Sequence, residues 1–309
     1  MKKIFIDGSA GTTGLRIYER LSSRKDVQLI TLSDDKRKDP DYRKQSINDS
    51  DVTFLCLPDD SAREAVSFVE NPSTVIIDAS TAHRTTDGWT YGFPELDKSI
   101  EKALPTAKRI AVPGCHASGV IALIAPLIQE NVLKDSSLLS ATSLTGYSGG
   151  GKKMIADYES EDKNALLNFP RQYALTQQHK HLKEISFYTK LKKAPAFQPI
   201  VAPFYSGMEV TVPVFMDNLT DGNTIKEVID VLKTRYNGKI VFYNDQTEQG
   251  FISAGVLSGK DSMQISVFGN EERFLLCARY DNLGKGASGA AVECLNYVLG
   301  LPPEFGLEL

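Results

Sequence analysis

The chain has few of the residues that mark metal sites, disulfide frameworks and membrane spans. Its 309 residues include only four cysteines, with no CxxC pair and no Cys/His cluster, so a metal site is not expected. No apolar run reaches the roughly 18 residues that a membrane-spanning helix needs. The 35 Lys and Arg do not outnumber the 39 Asp and Glu, which argues against a nucleic-acid-binding surface. No apolar signal-peptide core follows the N-terminal lysines, so we expect a cytoplasmic protein with no membrane partner.

The first part of the chain alternates short apolar runs with helix-like segments. Buried strands are predicted at residues 4–6, 27–30, 52–57, 75–77 and 110–112. Runs without strict alternation are typical of parallel strands covered on both faces. Helices are predicted at 15–22 and 61–69, the second with Ser61 and Glu64 as a capping box. The pattern predicts an α/β domain of Rossmann type, in which the polar residues 33–50 are the least ordered stretch.

The pattern changes after about residue 130. Strands that partly alternate polar and apolar residues are predicted at 140–144, 209–215, 240–243, 264–268 and 274–279. A single helix is predicted among them at 224–236, and a final helix at 284–299 that ends at Gly300. This part of the chain therefore reads as an α+β domain with a mostly antiparallel sheet.

A glycine-rich turn follows the first predicted strand and opens the first helix. Its residues are Gly8, Ser9, Ala10, Gly11, Thr12, Thr13 and Gly14. Glycines permit positive φ and a close approach of the backbone to a pyrophosphate, and the helix N-terminus supplies N–H donors. The spacing is GxxGxxG rather than GxGxxG, so the position after an N-terminal strand is what favours a nucleotide over a purely structural turn.

The residues after the second predicted strand bear on the choice between NAD and NADP. An acidic side chain there binds the ribose hydroxyl, whereas Ser or a basic residue favours the 2′-phosphate. Asp34 fits the hydroxyl, and a solvated loop is a further interpretation. Ser33 together with a basic neighbour fits the phosphate, and the neighbours are Lys36, Arg37 and Lys38. We expect NADP(H).

Cys115 is the candidate nucleophile. It lies in Pro113-Gly114-Cys115-His116-Ala117-Ser118-Gly119, directly before the apolar residues 120–128, which predict a helix. The positive end of a helix dipole favours the thiolate, the nucleophilic form of cysteine. A small core residue at a tight turn is the alternative.

A cysteine nucleophile needs a group that takes and returns a proton. The four histidines are His83, His116, His179 and His181. The side chain of His116 is expected to diverge from that of Cys115, and His83 lies in the loop after the fourth strand. Residues i and i+2 share no helical face, so at most one of His179 and His181 is expected to point at Cys115. For each histidine alone, a surface or capping role is the alternative.

Two further features fit an anion. Arg84 follows the fourth strand and suits a bidentate contact with phosphate or carboxylate, or else a surface salt bridge. A second glycine-rich loop at residues 145–153 contains Ser148 and Gly149. Its backbone N–H groups suit an anion cradle, although a flexible connection would look the same.

Taken together, these segments resemble the short form of the N-acetyl-gamma-glutamyl-phosphate reductases, relatives of aspartate-semialdehyde dehydrogenase. The resemblance covers nearly the whole chain and occurs in family order. The matching segments are Gly8 to Gly14, Asp78-Ala79-Ser80-Thr81-Ala82-His83-Arg84 with Tyr91-Gly92-Phe93-Pro94-Glu95-Leu96, Pro113 to Ala117, Gly146-Tyr147-Ser148-Gly149-Gly150-Gly151, His179-Lys180-His181-Leu182 and Asn282-Leu283-Gly284-Lys285-Gly286-Ala287-Ser288-Gly289-Ala290.

The resemblance implies an NADP-dependent reductase of arginine biosynthesis that converts N-acetyl-glutamyl 5-phosphate to N-acetylglutamate 5-semialdehyde through a Cys115 thioester. His179 or His181 would be the acid/base. Arg84, Lys180 and Ser148 would bind substrate. The cofactor would be held by the first glycine turn and by Ser33, Arg37, Ser148 and Gly149.

The resemblance also implies a domain division and an assembly. Residues 1–115 and 284–309 would form the nucleotide domain, and residues 116–283 the catalytic and subunit-contact domain of a homodimer or homotetramer. The same chemistry on an aminoadipyl or aspartyl phosphate is the nearest alternative, with Arg171, Tyr173 and Lys180 among the candidates for specificity. A non-catalytic nucleotide-binding regulator, in which Cys115 is a redox or packing residue, is a third.

Overall fold

The computed structural model describes residues 1–309, and they divide into two units. The first unit comprises Met1–Gly114 and Ala287–Leu307. The second comprises Cys115–Gly286 and Glu308–Leu309.

The first unit contains a six-stranded sheet in which all strands are parallel. The strands are β1 (Lys2–Asp7), β2 (Val27–Ile30), β3 (Val52–Leu55), β4 (Val75–Asp78), β5 (Thr90–Tyr91) and β6 (Arg109–Ala111). Their order is β2-β1-β3-β4-β6-β5. The chain therefore leaves β1 in one direction to β2 and in the other to β3. This reversal is a topological switch point, where open α/β sheets bind ligands at their carboxyl edge.

Helices cover both faces of this sheet, as the prediction of a doubly wound domain requires. They include α1 (Thr12–Ser22), α2 (Pro40–Asp49), α3 (Asp59–Ser67) and α4 (Lys98–Ala103). Successive residues of β1 point to opposite faces. Ile4 and Ile6 pack in one core with Ile17 of α1, whereas Phe5 packs in another with Ile47 of α2.

The expectation that residues 33–50 are poorly ordered was wrong, because α2 occupies most of that stretch. Asp39 is the N-cap, and its carboxylate accepts a hydrogen bond from the N–H of Asp41. Pro40 occupies the first turn, where a missing N–H costs nothing. Ile47 is fully buried and Arg43 is paired with Asp7, so this polar helix is held by its cap, by one apolar side chain and by an ion pair.

The predicted capping box at Ser61 was also wrong. Helix α3 begins two residues earlier, with Pro58 at the N-cap, and the carbonyl of Pro58 accepts from the N–H of Ala62. Glu64 is instead paired with Arg43 of α2. Glu64 therefore links α3 to α2 through an ion pair and does not cap the N-terminus of its own helix.

The second unit contains a seven-stranded mixed sheet. Its strands are β7 (Ser140–Gly146), β8 (Arg171–Gln172), β9 (Ala196–Ala202), β10 (Met208–Phe215), β11 (Val241–Tyr243), β12 (Met263–Gly269) and β13 (Arg273–Tyr280). Their order is β11-β12-β13-β10-β7-β9-β8. Four strand pairs are antiparallel and two are parallel, which confirms a mostly antiparallel sheet. Strands β8 and β9 were not predicted.

One face of this sheet is covered by helices of the same unit. The helices are α5 (Cys115–Gln129), α6 (Gly151–Glu159), α7 (His181–Thr189) and α8 (Ile225–Arg235). Helix α5 packs on β10 and β13 and is buried from His116 to Leu127, as expected for a helix that is apolar all round. The prediction of a single helix among the later strands was wrong, because α6 and α7 are present as well as α8.

The predicted final helix is preceded by a turn of a different kind. Gly284–Ser288 form a turn of π-helix, and α9 (Gly289–Leu299) follows and packs in the core of the first unit with β1 and β4. Gly300 ends α9 in the left-handed conformation, with φ of 68°, as the sequence predicted. No helix has both the length and the apolar character needed to cross a bilayer.

Candidate active site

The first glycine turn lies at the switch point of the first unit. Gly8 has φ of +88°, and a Cβ there would lie 2.3 Å from the carbonyl oxygen of Cys56, which directly follows β3. A Cβ on Gly14 would lie 2.4 Å from the carbonyl oxygen of Gly8. Both positions therefore require glycine. The N–H of Gly11 closes the turn on the carbonyl of Gly8, at 2.9 Å.

The start of α1 fits a bound pyrophosphate. Gly11 is its N-cap, and no side chain caps the first turn. The hydroxyl oxygen of Thr12 is buried and has no hydrogen-bond partner in the chain. A buried polar group without a partner is costly, so this hydroxyl and the N–H groups beside it are suited to an anionic ligand.

A cleft of about 330 Å³ extends from this turn to the end of β2. Arg37 and Lys38 line it, whereas Ser33 does not. The guanidinium of Arg37 is paired with Asp34 at 2.9 Å. Asp34, the candidate for a ribose hydroxyl, is thus paired with Arg37 and does not line the cleft. Arg37 and Lys38 are the cationic groups at this end of the cleft.

The requirement for glycine at position 8 is testable against a matched position. Gly88 also has positive φ, of +80°, but nothing lies within 4 Å of a Cβ built on it. Gly88→Ala should cost only the left-handed strain of about 1 kcal/mol. Gly8→Ala adds a backbone clash and should cost about 3 kcal/mol or more in unfolding free energy. Denaturant unfolding of both variants measures this, and equal losses would contradict the close approach of Gly8 to Cys56.

In the second unit, Cys115 is the first residue of α5, which confirms its predicted place at a helix start. It is partly buried. The hydroxyl of Tyr280 donates to the carbonyl oxygen of Cys115 at 2.5 Å and accepts from the N–H of Gly119 at 3.1 Å. A Cβ on Gly286 would lie 3.1 Å from the Cβ of Cys115. The backbone of Cys115 is therefore held by a hydrogen bond from Tyr280, and the backbone of Gly286 packs closely against the Cβ of Cys115.

Three of the four histidines form a cluster in this unit. The ring centroid of His116 lies 5.6 Å from that of His179 and 5.7 Å from that of His181. His116 is bonded through Nδ1 to the hydroxyl of Ser143, at 2.6 Å, and through Nε2 to the hydroxyl of Tyr173, at 2.7 Å. Burial lowers the pKa of His116 to about 3, with a further contribution from His179. His116 is thus a neutral anchor with both nitrogens engaged.

His179 and His181 both lie in the cluster, with centroids 4.7 Å apart. Helix α7 begins at His181 and His179 precedes it, so helical spacing does not separate the two side chains. That at most one of them points at Cys115 stays a prediction. Burial, and to a lesser degree the charge of Lys180, lowers the pKa of His179 to about 4. Its Nδ1 accepts from the N–H of His181 at 3.2 Å, so at neutral pH its proton is on Nε2.

The remaining candidates of the first unit make bonds within the chain. His83 pairs with Asp78 at 2.7 Å and stacks on Trp89 with centroids 4.1 Å apart. Arg84 is buried and donates to the carbonyl oxygens of Val112 and Ala79, at 2.9 and 3.1 Å. These bonds fix the direction of the guanidinium. A role for Arg84 in phosphate binding stays a prediction.

The second glycine loop contains a short 3-10 turn at Tyr147–Gly150 that leads directly into α6. Ser148 is 1% exposed, and its hydroxyl accepts from the side-chain amide of Asn282 at 3.0 Å. A Cβ on Gly149 would lie 3.3 Å from that amide nitrogen. Lys180 is exposed at the start of α7. Ligand roles for these three residues stay predictions.

Two specificity candidates also have partners. Arg171 donates to the hydroxyl of Tyr158, at 3.1 Å, and lies over its ring. Tyr173 is bonded to His116. No group of three or more His, Cys, Asp or Glu side chains is arranged to hold a metal ion.

The position of Cys115 predicts selective alkylation. Burial raises the pKa of Cys277 to about 11 and raises that of Cys56 well above its ordinary value. Cys115 has a helix N-terminus beside it instead, which favours the thiolate. Iodoacetamide at neutral pH should modify Cys115 at least about tenfold faster than the other three, as read by peptide mass spectrometry. Equal rates would contradict an activated thiol.

The chain is similar to known proteins over nearly its whole length. Residues 3–103 match the family described as "Semialdehyde dehydrogenase, NAD binding domain", and residues 115–282 match "Semialdehyde dehydrogenase, dimerisation domain". N-acetyl-gamma-glutamyl-phosphate reductase 2 of Nostoc sp. is 42% identical, with 99% of each chain covered. The N-acetyl-gamma-glutamyl-phosphate reductase of Chelativorans sp. is 44% identical, with 96% of this chain and 98% of the relative covered. The chain belongs to the N-acetyl-gamma-glutamyl-phosphate reductases of the semialdehyde dehydrogenase family.

The reductase chain shares its fold with more distant solved structures. Aspartate semialdehyde dehydrogenase from Francisella tularensis superposes with a TM-score of 0.72 at 16% identity, covering 97% of this chain and 100% of that one. The enzyme with NADP from Candida albicans superposes with a TM-score of 0.67 at 13% identity, covering 97% and 98%. The likeness confirms the fold: a Rossmann-type unit and a second unit built on a mixed sheet.

Membership among the N-acetyl-gamma-glutamyl-phosphate reductases confirms that the chain is an oxidoreductase with a nicotinamide-nucleotide-binding domain. The first glycine turn lies inside the matched nucleotide-binding residues, and Cys115 is the first residue of the second match. Tyr280 and Ser143 have no local sequence pattern that marks them as part of the candidate site. Both meet the Cys115–His116 segment only through the folding of distant strands.

Proposed function

We propose that the chain catalyses the NADPH-dependent reduction of N-acetyl-glutamyl 5-phosphate to N-acetylglutamate 5-semialdehyde and phosphate, a step of arginine biosynthesis. The observation that carries the proposal is Cys115 at the start of α5, next to a histidine cluster, in a chain 44% identical to such a reductase. Free cysteines throughout the chain support a reducing, cytoplasmic location.

The first step uses the thiolate of Cys115. Its sulfur attacks the acyl carbon, the bond from that carbon to the phosphate oxygen breaks, and phosphate leaves, so that Cys115 becomes a thioester. The N–H groups at the start of α5 are suited to the negative charge that develops on the carbonyl oxygen. Arg84 is the proposed phosphate-binding residue, with Lys180 and Ser148 as further candidates for substrate binding.

The second step removes the acyl group as an aldehyde. NADPH, when bound, supplies the hydride for this reduction. A histidine protonates the carbonyl oxygen to give the hemithioacetal on Cys115. The same histidine takes that proton back as the carbon–sulfur bond breaks, which returns the thiolate and the semialdehyde.

We assign the acid/base role to His181. His179 has a pKa near 4 and commits Nδ1 to the backbone of His181, so it is a weak base at neutral pH. His179 would orient His181 at the start of α7. Both rings pack against His116, which is held in place by its hydrogen bonds to Ser143 and Tyr173.

We further propose a homodimer, or a homotetramer built from it, through the sheet of the second unit. On β10, Val210, Val212 and Val214 are buried under the helices, whereas the alternate residues Thr211, Pro213 and Phe215 face the other way. That second face includes Phe215, 59% exposed, and Leu275, 40% exposed. An open sheet face with exposed apolar side chains suits a second copy, as the dimerisation-domain match supports.

One assay tests the proposed activity. The protein is mixed with NADP⁺, phosphate and N-acetylglutamate 5-semialdehyde, and NADPH formation is followed. We expect turnover that depends on phosphate or arsenate. Turnover only with aspartate semialdehyde or an aminoadipate semialdehyde would favour the other acyl phosphates, and no turnover with any of them would favour a regulator.

A further inference from the structure

A buried ion pair in the nucleotide cleft has no part in the scheme above. Asp7 is the last residue of β1 and is 3% exposed. Arg43 of α2 is 6% exposed, and its Nε lies 3.0 Å from an oxygen of Asp7. Both side chains line the cleft that contains the glycine turn.

The guanidinium of Arg43 is held by the chain on its other edges too. Its Nη1 contacts the Glu64 carboxylate at 2.8 Å, its Nη2 lies 3.5 Å from the carbonyl oxygen of Ser61, and its plane lies over the ring of Phe68. Arg43 thus joins β1, α2 and α3. These contacts leave the guanidinium oriented toward protein groups rather than toward a ligand.

Asp7 is the only acidic residue that lines the cleft, and it directly precedes Gly8. Burial raises the pKa of Asp7, and the Arg43 guanidinium partly offsets that shift. Without Arg43, the Asp7 carboxylate would lie one residue before the turn that suits an anionic pyrophosphate, with no positive charge beside it. Such a juxtaposition of like charges opposes binding.

We propose that Arg43 is a positioning residue for the cofactor, which acts by neutralising and fixing Asp7 at the junction of β1 with the glycine turn, without contacting the cofactor phosphates itself. The proposal rests on the proposed use of NADPH. Arg43 lies in the stretch whose helix was not predicted, so this role had no sequence signal.

Fluorescence titration of NADPH binding tests the proposal in four proteins. At alkaline pH, where Asp7 stays ionised without its partner, Arg43→Gln should weaken the Kd for NADPH roughly tenfold or more. Asp7→Asn with Arg43→Gln removes both charges and should return the Kd to within about threefold of wild type. Glu64→Gln is the matched control: it removes the half-exposed partner of Arg43, leaves the Asp7 contact intact, and should change the Kd less than about threefold.

Each other outcome overturns the proposal. A double variant as weak as Arg43→Gln would mean that Arg43 binds the cofactor directly, and an unchanged Kd in Arg43→Gln would mean that the pair is irrelevant to binding. If Arg43→Gln does not fold by thermal unfolding, Arg43→Lys keeps the positive charge but not the several contacts of the guanidinium, and should weaken the Kd for NADPH less than about tenfold. A larger loss there contradicts the role of charge. Wild type that binds no NADPH would overturn the cofactor proposal together with this one.

Discussion

Cys115→Ala should reduce turnover by about 10⁴-fold or more, because no thioester can form without the sulfur. The Kd for NADPH, measured by fluorescence titration, should stay close to wild type, since the glycine turn and its cleft belong to the first unit. The unfolding midpoint should change little, because the thiol is only partly buried. Steady-state kinetics in the direction of NADPH formation measures the loss.

Cys277→Ser is the control for this variant. Cys277 is buried in β13, close to the hydroxyl of Thr211, so a serine there replaces sulfur with a similar group away from the histidine cluster. It should keep turnover within about threefold of wild type. Residual turnover in Cys115→Ala above one tenth of wild type, or an equal loss in both variants, would contradict the nucleophile assignment.

His181→Asn should lower kcat by about 10²- to 10⁴-fold, the contribution typical of a positioned acid/base. His179→Asn should lower kcat by about tenfold or less. This variant loses a neutral side chain that accepts one backbone hydrogen bond, and it keeps His181, the proposed proton carrier. The pH profile of kcat gives a second check on His179. His179 is neutral above its pKa of about 4, so its loss should not shift this profile between pH 6 and 9. A larger loss for His179→Asn would reverse the assignment.

Much of the fold could be predicted from the sequence because its buried strands are short, continuous apolar segments. Strands β3 and β4 are buried at every position, and the glycine turn follows β1 as expected. Helix α2 was missed because its order depends on a cap and on the pairing of Arg43 with Asp7, 36 residues away. An ion pair between residues so far apart in sequence produces no helical pattern of apolar residues from which α2 could be predicted.

The candidate site could be predicted from the sequence only at residues that lie in a recognisable local pattern. Cys115 has a local signature, a glycine before it and an apolar helix after it. The histidine cluster has no such signature. His116 meets Ser143 of β7 and Tyr173, which follows β8, only because strands far apart in sequence lie in one sheet. The sequence therefore narrows the proposed acid/base to two positions, and the low pKa and the hydrogen bond of His179 favour His181 for the proposed role.

The most direct test of the central claim is to trap the thioester. The protein is mixed with N-acetyl-glutamyl 5-phosphate in the absence of NADPH, quenched in acid, digested and examined by mass spectrometry. The account predicts a burst of phosphate with an acyl group on the peptide that contains Cys115, and loss of that group when NADPH is added before the quench. Phosphate release with no acylated Cys115, or an acyl group on a different side chain, would contradict it.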